Sequence, residues 1–482
     1  MKLHIYNTLS RSVEEFKPRL EGKVDMFVCG QTPYDDAHLG HARNYIVFDV
    51  VVRWLRHLGY DVRYIQNITD IEDKIINRAK ERGITAEELE RYYEKRFLED
   101  MEAIGVKKNV TQYLRSHDYI DTMVMQIQML LDGGYAYQID SDIYYDVDKF
   151  VDYTKLSGMK LEQLKEHRIE PREGKRNVYD FALWKGSKPG EPSWKIKLRI
   201  GGNEIEFVGR PGWHIEDTAM TYAVFGPQYD IHGGASELIF PHHSNEIAQA
   251  EAAFGKVPFV RYWMHAGVLN VNNIKMSKSL KNFITIREIL GKYDAEALRL
   301  LMVSTHYRKE INYTERLIKE AQEKLDYMYN SMGVLYNAKE GNDAEGNDLA
   351  EKAVKLDSRF EELMNADFNT SVAVMELFGA FSDIRSYFES NRSIGHSNKE
   401  TVYKSLLKCA GALGLLESDA YKTGLEDEAM ELIKTREKLR VQKKFEDADR
   451  IRQELLEKYG LALEDTEYGT IWFKKRSRDK VD

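Results

Sequence analysis

Cysteine is scarce in this sequence, whose 482 residues carry only Cys29 and Cys409. Two thiols cannot form a disulfide framework for a chain of this length, which suits a reducing compartment and leaves each cysteine to be explained singly. Long apolar runs are missing too. No stretch approaches the ~20 uninterrupted apolar residues that a bilayer span requires, and the opening MKLHIYNTLSRS lacks the apolar centre of a secretory leader. The expectation is a cytoplasmic protein with no membrane partner. An excess of positive charge is also absent. The formal net charge of −9 at pH 7 argues against a surface coated for nucleic acid, while leaving room for a local basic patch. No internal repeat is visible, which excludes solenoid architectures.

What is present is ordinary for a folded chain. Apolar residues make up 43% and charged residues 31%, too apolar a mixture for disorder. The length exceeds one ordinary core, so about three domains are expected.

Residues 24–29, VDMFVC, form a short apolar run, and after a loop HARNYIVFDVVVRWLRHLG (41–59) shows helical apolar spacing. DVRYIQNIT (61–69) alternates like a strand, 73–82 is helical in pattern, and Thr85-Ala-Glu-Glu88 is a capping box opening a charged helix. This order predicts a parallel α/β unit with ligands at the carboxyl ends of its strands. From 133 to 205 the texture changes. GGYAYQIDSDIYYDVD reads as a hairpin, and EPREGKR and KGSKPGEPS are turn-rich, which marks an insertion. YDIHGG (229–234) and NEIAQAEAAF (245–254) return to the first style. After about 315 the pattern is nearly all helical, with AKEGNDAEGND (338–348) as a polar linker. Phe445, Ala448, Ile451 and Leu455 share one face of a late helix that precedes a strand-like TIWF.

Three clusters carry chemistry. His38-Leu39-Gly40-His41 stands at a helix start, where unpaired N–H groups favour an anion; Gly40 lets a ligand approach, and the imidazoles add donors. The plainer alternative is two loop histidines, one of them capping the helix. Lys275-Met276-Ser277-Lys278-Ser279 is a cationic loop after the apolar HAGVLNV. Its lysines suit the charge that develops on a departing pyrophosphate, unless the run is merely solvated. His242 and Glu246 lie four apart on one helical face and, with Cys29 at a strand end, offer nitrogen, oxygen and sulfur to zinc. Alone, such a pair is more often an ordinary helical one.

An HxGH loop followed by KMSKS in an α/β setting resembles the paired signatures of class I aminoacyl-tRNA synthetases. CGQTPYDDAHLGHARNY, NITDIEDKIINRA, GRPGWHIEDTAM, DIHGGASELIFPHHSNEIAQAEA and KMSKSLKNF resemble their counterparts in the cysteinyl-tRNA synthetase family. NADFNTSVAV and FEDADRIRQELL extend the similarity over nearly the whole chain. The resemblance implies an α/β fold: a Rossmann-like parallel-sheet catalytic domain with an insertion module, then a helical bundle and a small C-terminal domain. The implied bounds are 1–132 and 206–265 for the catalytic halves, 133–205 for the insertion, and 266–315 for the KMSKS and stem-contact region. Residues 316–424 would form the tRNA-binding bundle and 425–482 the anticodon-recognition domain.

By the same resemblance, a monomer would activate L-cysteine with ATP and Mg2+ and transfer it to the 3′ end of tRNA(Cys). His38, Gly40, His41 and Lys278 would meet the ATP, with Lys275 assisting. Trp213 would wall the amino-acid pocket, with Cys29, Thr69 and His232 near the substrate. One zinc per chain would sit on Cys29, position 217, His242 and Glu246. There the family pattern reads Trp-His-Ile-Glu-Cys, whereas this chain has Asp217. The carboxylate could ligate directly, act through water, or serve as a helix N-cap or hydrogen-bond acceptor with no metal present. Aspartate for cysteine keeps the formal charge and exchanges a soft ligand for a hard one. Smaller departures are Gln31 and Pro33 in place of the usual GPTVYD, Ala235 in place of a third glycine, and Ser244 in place of the glutamate in HHENE.

RNA would have to meet local positive surface. Lys434, Arg436, Lys438, Arg440, Lys443 and Lys444 cluster before the last helix, and Lys474, Lys475, Arg476, Arg478 and Lys480 lie near the end of the sequence. Tyr468 and Trp472 interleave aromatics able to stack on bases. Two rival functions fit the same core. One is a tRNA-independent ligase joining adenylated cysteine, or another small amino acid, to a small amine; the other is a non-catalytic RNA-binding protein.

Overall fold

A computed structural model describes residues 2–159, 172–276, 282–422, 427–466 and 469–474. A hairpin, β1 (His4–Asn7) and β2 (Ser12–Glu15), precedes the strand β3 (Lys23–Gln31). Residues 24–29 of β3 are all buried, as an apolar run covered on both faces should be. The chain continues through α1 (Leu39–His57), β4 (Asp61–Ile68), α2 (Asp73–Arg82), α3 (Ala86–Ala103) and β5 (Gln112–Arg115). The capping box of Thr85 and Glu88 opens α3 as the sequence predicts.

Helix α4 (Ile120–Asp132) leads into a second sheet of β6 (Ala136–Ile139), β7 (Asp142–Tyr145), β8 (Phe181–Gly186), β9 (Trp194–Ile200) and β10 (Asn203–Pro211). Its order is β6-β7-β8-β10-β9 and every pairing is antiparallel. Ile196 and Leu198, alternate residues of β9, share an apolar core with Met123, Ile127 and Leu130 of α4.

The first sheet then resumes with α5 (Ile215–Phe225), β11 (Tyr229–Ala235), α6 (Ser244–Phe254) and β12 (Val260–Ala266). All of its pairings are parallel, in the order β12-β11-β3-β4-β5. Strand order reverses between β3 and β11, and in such sheets ligands bind outside the carboxyl ends of the strands at that point. Cys29 lies near that end of β3, and His232 lies midway along β11.

The strands β13 (Leu269–Val271) and β14 (Ile274–Lys275) form a small sheet with β15 (Ile311–Tyr313), which follows α7 (Ile286–Leu290) and α8 (Ala295–Val303). The helix α9 (Glu315–Asn337) starts the helical part. The stretch 338–348, expected as a linker, instead carries the strand β16 (Lys339–Gly341) and enters α10 (Asn347–Asn365). After α11 (Thr370–Ser390), the strand β17 (Ser393–Gly395) pairs with β16, and Asn398 of α12 (His396–Leu413) donates to the carbonyls of Asp343 and Glu345. The segment is polar because it is exposed, yet its backbone is tied down. A helical hairpin, α13 (Asp427–Val441) and α14 (Phe445–Tyr459), and the β-hairpin β18 (Leu461–Thr466) and β19 (Gly469–Lys474) complete the fold. Ala448 and Leu455 of α14 are buried, but Phe445 is 53% exposed despite its place on the same periodic face.

Candidate active site and metal centre

The HLGH loop begins α1. His38 is its N-cap, and its Nδ1 accepts from the N–H groups of Gly40 and His41, at 3.0 and 3.4 Å. His41 Nδ1 in turn accepts from the N–H of His38 at 3.3 Å. A backbone N–H only donates, so both neutral imidazoles must carry their proton on Nε2. The cap expected as the plain alternative and the donor role are therefore compatible: capping fixes two Nε2–H donors on rings stacked 3.7 Å apart. A Cβ on Gly40 would stand 2.8 Å from His38 Cε1, so the glycine is required for the cap.

The segment after KMSKS lies directly on this loop. The N–H of Leu39 donates to the carbonyl of Ile284 and that of Ile286 to Ala37, while His38 and Thr285 form a β-bridge. Helix α3 braces both sides. Arg96 pairs with Asp36 before HLGH, and Arg287 of α7 pairs with Glu99 and Asp100. Lys275 forms an ion pair with Glu237, and Lys278 lies outside the described residues.

The metal candidates converge. Cys29, Asp217, His242 and Glu246 are all buried, and one ligand atom from each lies within 4.8 Å of every other. Cys29 Sγ is 3.4 Å from Asp217 Oδ2, and His242 Nε2 is 3.0 Å from Asp217 Oδ2 and 3.1 Å from Glu246 Oε1. A tetrahedron with zinc–ligand bonds of about 2.0–2.3 Å has edges of about 3.3–3.8 Å, close to these spacings. Neither Glu246 oxygen has a hydrogen-bond partner although the residue is fully buried. A buried carboxyl group without a hydrogen bond costs about 1–3 kcal/mol, which a cation would offset. The donor set and the buried carboxyl group both fit zinc.

Burial, with Asp217 and Glu246 alongside, holds the Cys29 thiol well above its usual range, and burial likewise raises Glu246 and Glu216. Burial pushes His232 and His243 well down, and His265 to about 3. For Cys29, Glu246 and Glu216, and for the three imidazoles, burial thus favours the neutral form, a preference that a bound cation would invert for the ligands among them. Asp217 is the third residue of α5, whose N-cap is His214, so the N-cap reading of Asp217 is excluded. It is a hydrogen-bond acceptor instead, taking the Asn67 amide at 2.6 Å through Oδ1.

Trp213 stacks on His242 with centroids 4.3 Å apart and lines a cavity of about 300 Å3 together with His214, Asn245 and Arg210. Thr69 Oγ1 accepts from Asn67 Nδ2 at 3.1 Å, and His232 Nε2 is 3.4 Å from Cys29 Sγ. The sequence reading missed Asn67 and His243. Strand alternation puts Asn67 on the face of Thr69. His243, adjacent to His242, reaches Cys29 Sγ at 3.2 Å, giving a second group of Cys29, His232, His243 and Glu246.

In the C-terminal hairpin the basic cluster is partly consumed. Arg436 is fully buried and forks onto Asp465 at 2.7 Å through both terminal nitrogens; Arg440 also meets Asp465, and Lys434 pairs with Glu431. A buried guanidinium needs its carboxylate, so Arg436 is removed from the expected RNA surface. Tyr468 and residues 475–480 lie outside the described residues, as does the side chain of Lys474, while Trp472 is half-buried. No helix among the described residues is long and apolar enough to cross a membrane.

Comparison with known proteins gives the family. The family described as tRNA synthetases class I (C) catalytic domain matches residues 15–323, and the DALR domain matches 359–417. A cysteine–tRNA ligase of Thermococcus gammatolerans is 44% identical over 98% of this chain and 99% of its own length. One of Marinobacter nauticus is 44% identical over 99% of this chain and all of its own. The Mycobacterium tuberculosis methionyl-tRNA synthetase in complex with methionyl-adenylate shares the fold, with a TM-score of 0.57 at 15% identity over 81% of this chain and 89% of that one. Length, motifs and fold agree, and the chain belongs to the cysteinyl-tRNA synthetase family of class I aminoacyl-tRNA synthetases.

Proposed function

We propose that the chain activates L-cysteine with ATP and Mg2+ and transfers it to the 3′ end of tRNA(Cys), recognising the thiol at a zinc held by Cys29, Asp217, His242 and Glu246. The observation that carries the thiol reading is the buried sulfur, nitrogen and oxygen cluster, in which neither Glu246 oxygen receives a hydrogen bond, at the carboxyl end of β3. When bound, zinc supplies a Lewis-acidic centre that bonds a thiolate directly. Without such a centre, a pocket separates cysteine from serine by only about 10²-fold, the range seen for near-isosteres.

The remaining work is positioning and electrostatics. Trp213 walls the amino-acid pocket, with Thr69 and His232 beside it. The cysteine carboxylate attacks the α-phosphorus, where the Nε2–H groups of His38 and His41 donate to phosphate oxygens near Gly40. Lys278 and Lys275 neutralise the pyrophosphate as it leaves. The terminal hydroxyl of tRNA then takes the aminoacyl group, and AMP departs. In this reading residues 1–132 and 206–265 do the chemistry, interrupted by the 133–205 module and followed by the KMSKS and stem-contact region 266–315. The segments 316–424 and 425–482 hold the tRNA. Cysteine-dependent ATP–pyrophosphate exchange and tRNA charging test the reading. Exchange without charging would favour a tRNA-independent ligase and refute it.

A further inference from the structure

Asp217 has one more oxygen than a metal ligand needs, and the fold gives that oxygen separate work. Asn67, 2% exposed in β4, accepts the Gly30 N–H through Oδ1 at 2.5 Å. A backbone N–H can only donate, so the amide cannot be flipped and Nδ2 must face the other way. There it donates to Asp217 Oδ1 at 2.6 Å and to Thr69 Oγ1 at 3.1 Å. With Oδ1 engaged, Oδ2 is the oxygen turned toward His242 Nε2 at 3.0 Å and Cys29 Sγ at 3.4 Å. A cysteine at this position would have a single ligand atom and nothing to divide.

We infer that Asn67 is a positioning residue that holds the Asp217 carboxylate as a one-oxygen ligand, and so lets aspartate fill a site patterned for thiolate. Partners that orient metal ligands typically contribute 10–100-fold to metal affinity. The same amide ties the ligand to Gly30, next to Cys29, and to Thr69, so ligand and amino-acid pocket share one anchor. The inference rests on the zinc reading above.

The test uses the full-length chain and zinc alone. Chelator competition gives the zinc dissociation constant of wild type, Asn67→Ala, Asp217→Cys and the double variant. Asn67→Ala is expected to weaken zinc about 10–100-fold in the native background and no more than about threefold beside Asp217→Cys. Cobalt in place of zinc supplies a spectroscopic readout. Release of Oδ1 to the metal raises the coordination number, so the visible d–d absorption should weaken in Asn67→Ala and not in the double variant. Asn67→Asp keeps an acceptor for Gly30 and removes the donor, and it should lose zinc as Asn67→Ala does.

Equal losses in both backgrounds, or full zinc affinity in Asn67→Ala and Asn67→Asp, overturn the inference. Failure of both variants to fold, judged by melting, assigns Asn67 to the scaffold and overturns it as well. If wild type itself takes up no zinc, the metal reading fails first, a result distinct from all of these.

Discussion

Replacing Asp217 by alanine separates recognition of the thiol from the rest of the chemistry. The residue is 1% exposed, and its side chain contacts Asn67 Nδ2, Cys29 Sγ and His242 Nε2. Truncation removes one of the two acceptors of the Asn67 amide and leaves it Thr69 Oγ1, at a cost of at most about 1–3 kcal/mol, which is small beside the 5–15 kcal/mol stability typical of a domain. The fold should persist. On the proposed ligand set the zinc would lose one of four ligands, and the affinity loss should exceed the ~100-fold upper end associated with an orienting partner. Selectivity should then fall to the ~10² of a pocket without metal, a floor of about 2.7 kcal/mol at 1.36 kcal/mol per factor of ten. Elemental analysis gives the metal content, and ATP–pyrophosphate exchange with cysteine and with serine gives the ratio. Zinc-free wild type that still prefers cysteine by far more than 10² refutes the reasoning. So does an Asp217→Ala protein that keeps both its metal and its selectivity.

Gly40→Ala places a Cβ 2.8 Å from His38 Cε1, which should expel the ring from its cap and lower exchange at saturating substrate about 100-fold with metal content unchanged; an unaltered rate would dissociate the cap from the chemistry. Arg436→Ala removes the buried partner of Asp465 beside the small core of Ala429, Ile433, Leu455, Leu461 and Leu463, and breaking a buried pair costs up to about 3–5 kcal/mol. Charging of tRNA should drop at least tenfold while cysteine-dependent exchange holds; equal loss of both would place Arg436 elsewhere in function. Asp100, buried beside Arg287, is held up to about 7 by burial, above an unfolded value of about 3.9. The folded state therefore binds the extra proton between these values, and wild type loses stability as pH rises from about 4 to about 7. The melting temperature of Asp100→Asn minus that of wild type should climb over the same window and level off above it. A flat or falling difference would contradict the assignment.

The sheet was legible because its strands obey simple rules. VDMFVC is apolar throughout because β3 is central and covered on both faces, and a loop–helix after it implied a parallel crossover. The capping box at Thr85 and Glu88 is local and was readable as such. The linker at 338–348 was misread because polarity reports exposure, whereas its order comes from pairing with Ser393–Gly395, some fifty residues later in sequence. Arg436 was misread for the converse reason: a basic residue in a basic run looks exposed, and only Asp465, on another element, shows that it is buried.

The same distinction separates what was visible at the site from what was not. Ligand chemistry is a property of residue type, so Cys29, His242 and Glu246 could be named as candidates from their donor atoms, with the family resemblance deciding between a ligand set and an ordinary helical pair. The duty of each oxygen of Asp217 depends on an amide 150 residues away in sequence, which no spacing rule connects to it. A thiolate needs only one good direction, so its position along a helix nearly determines whether it ligates. A carboxylate has two oxygens that can both bind, and which one does is decided by whatever holds the other. The aspartate could therefore be read as a candidate from sequence, but its reading as a one-oxygen ligand required the fold to bring β4 against α5.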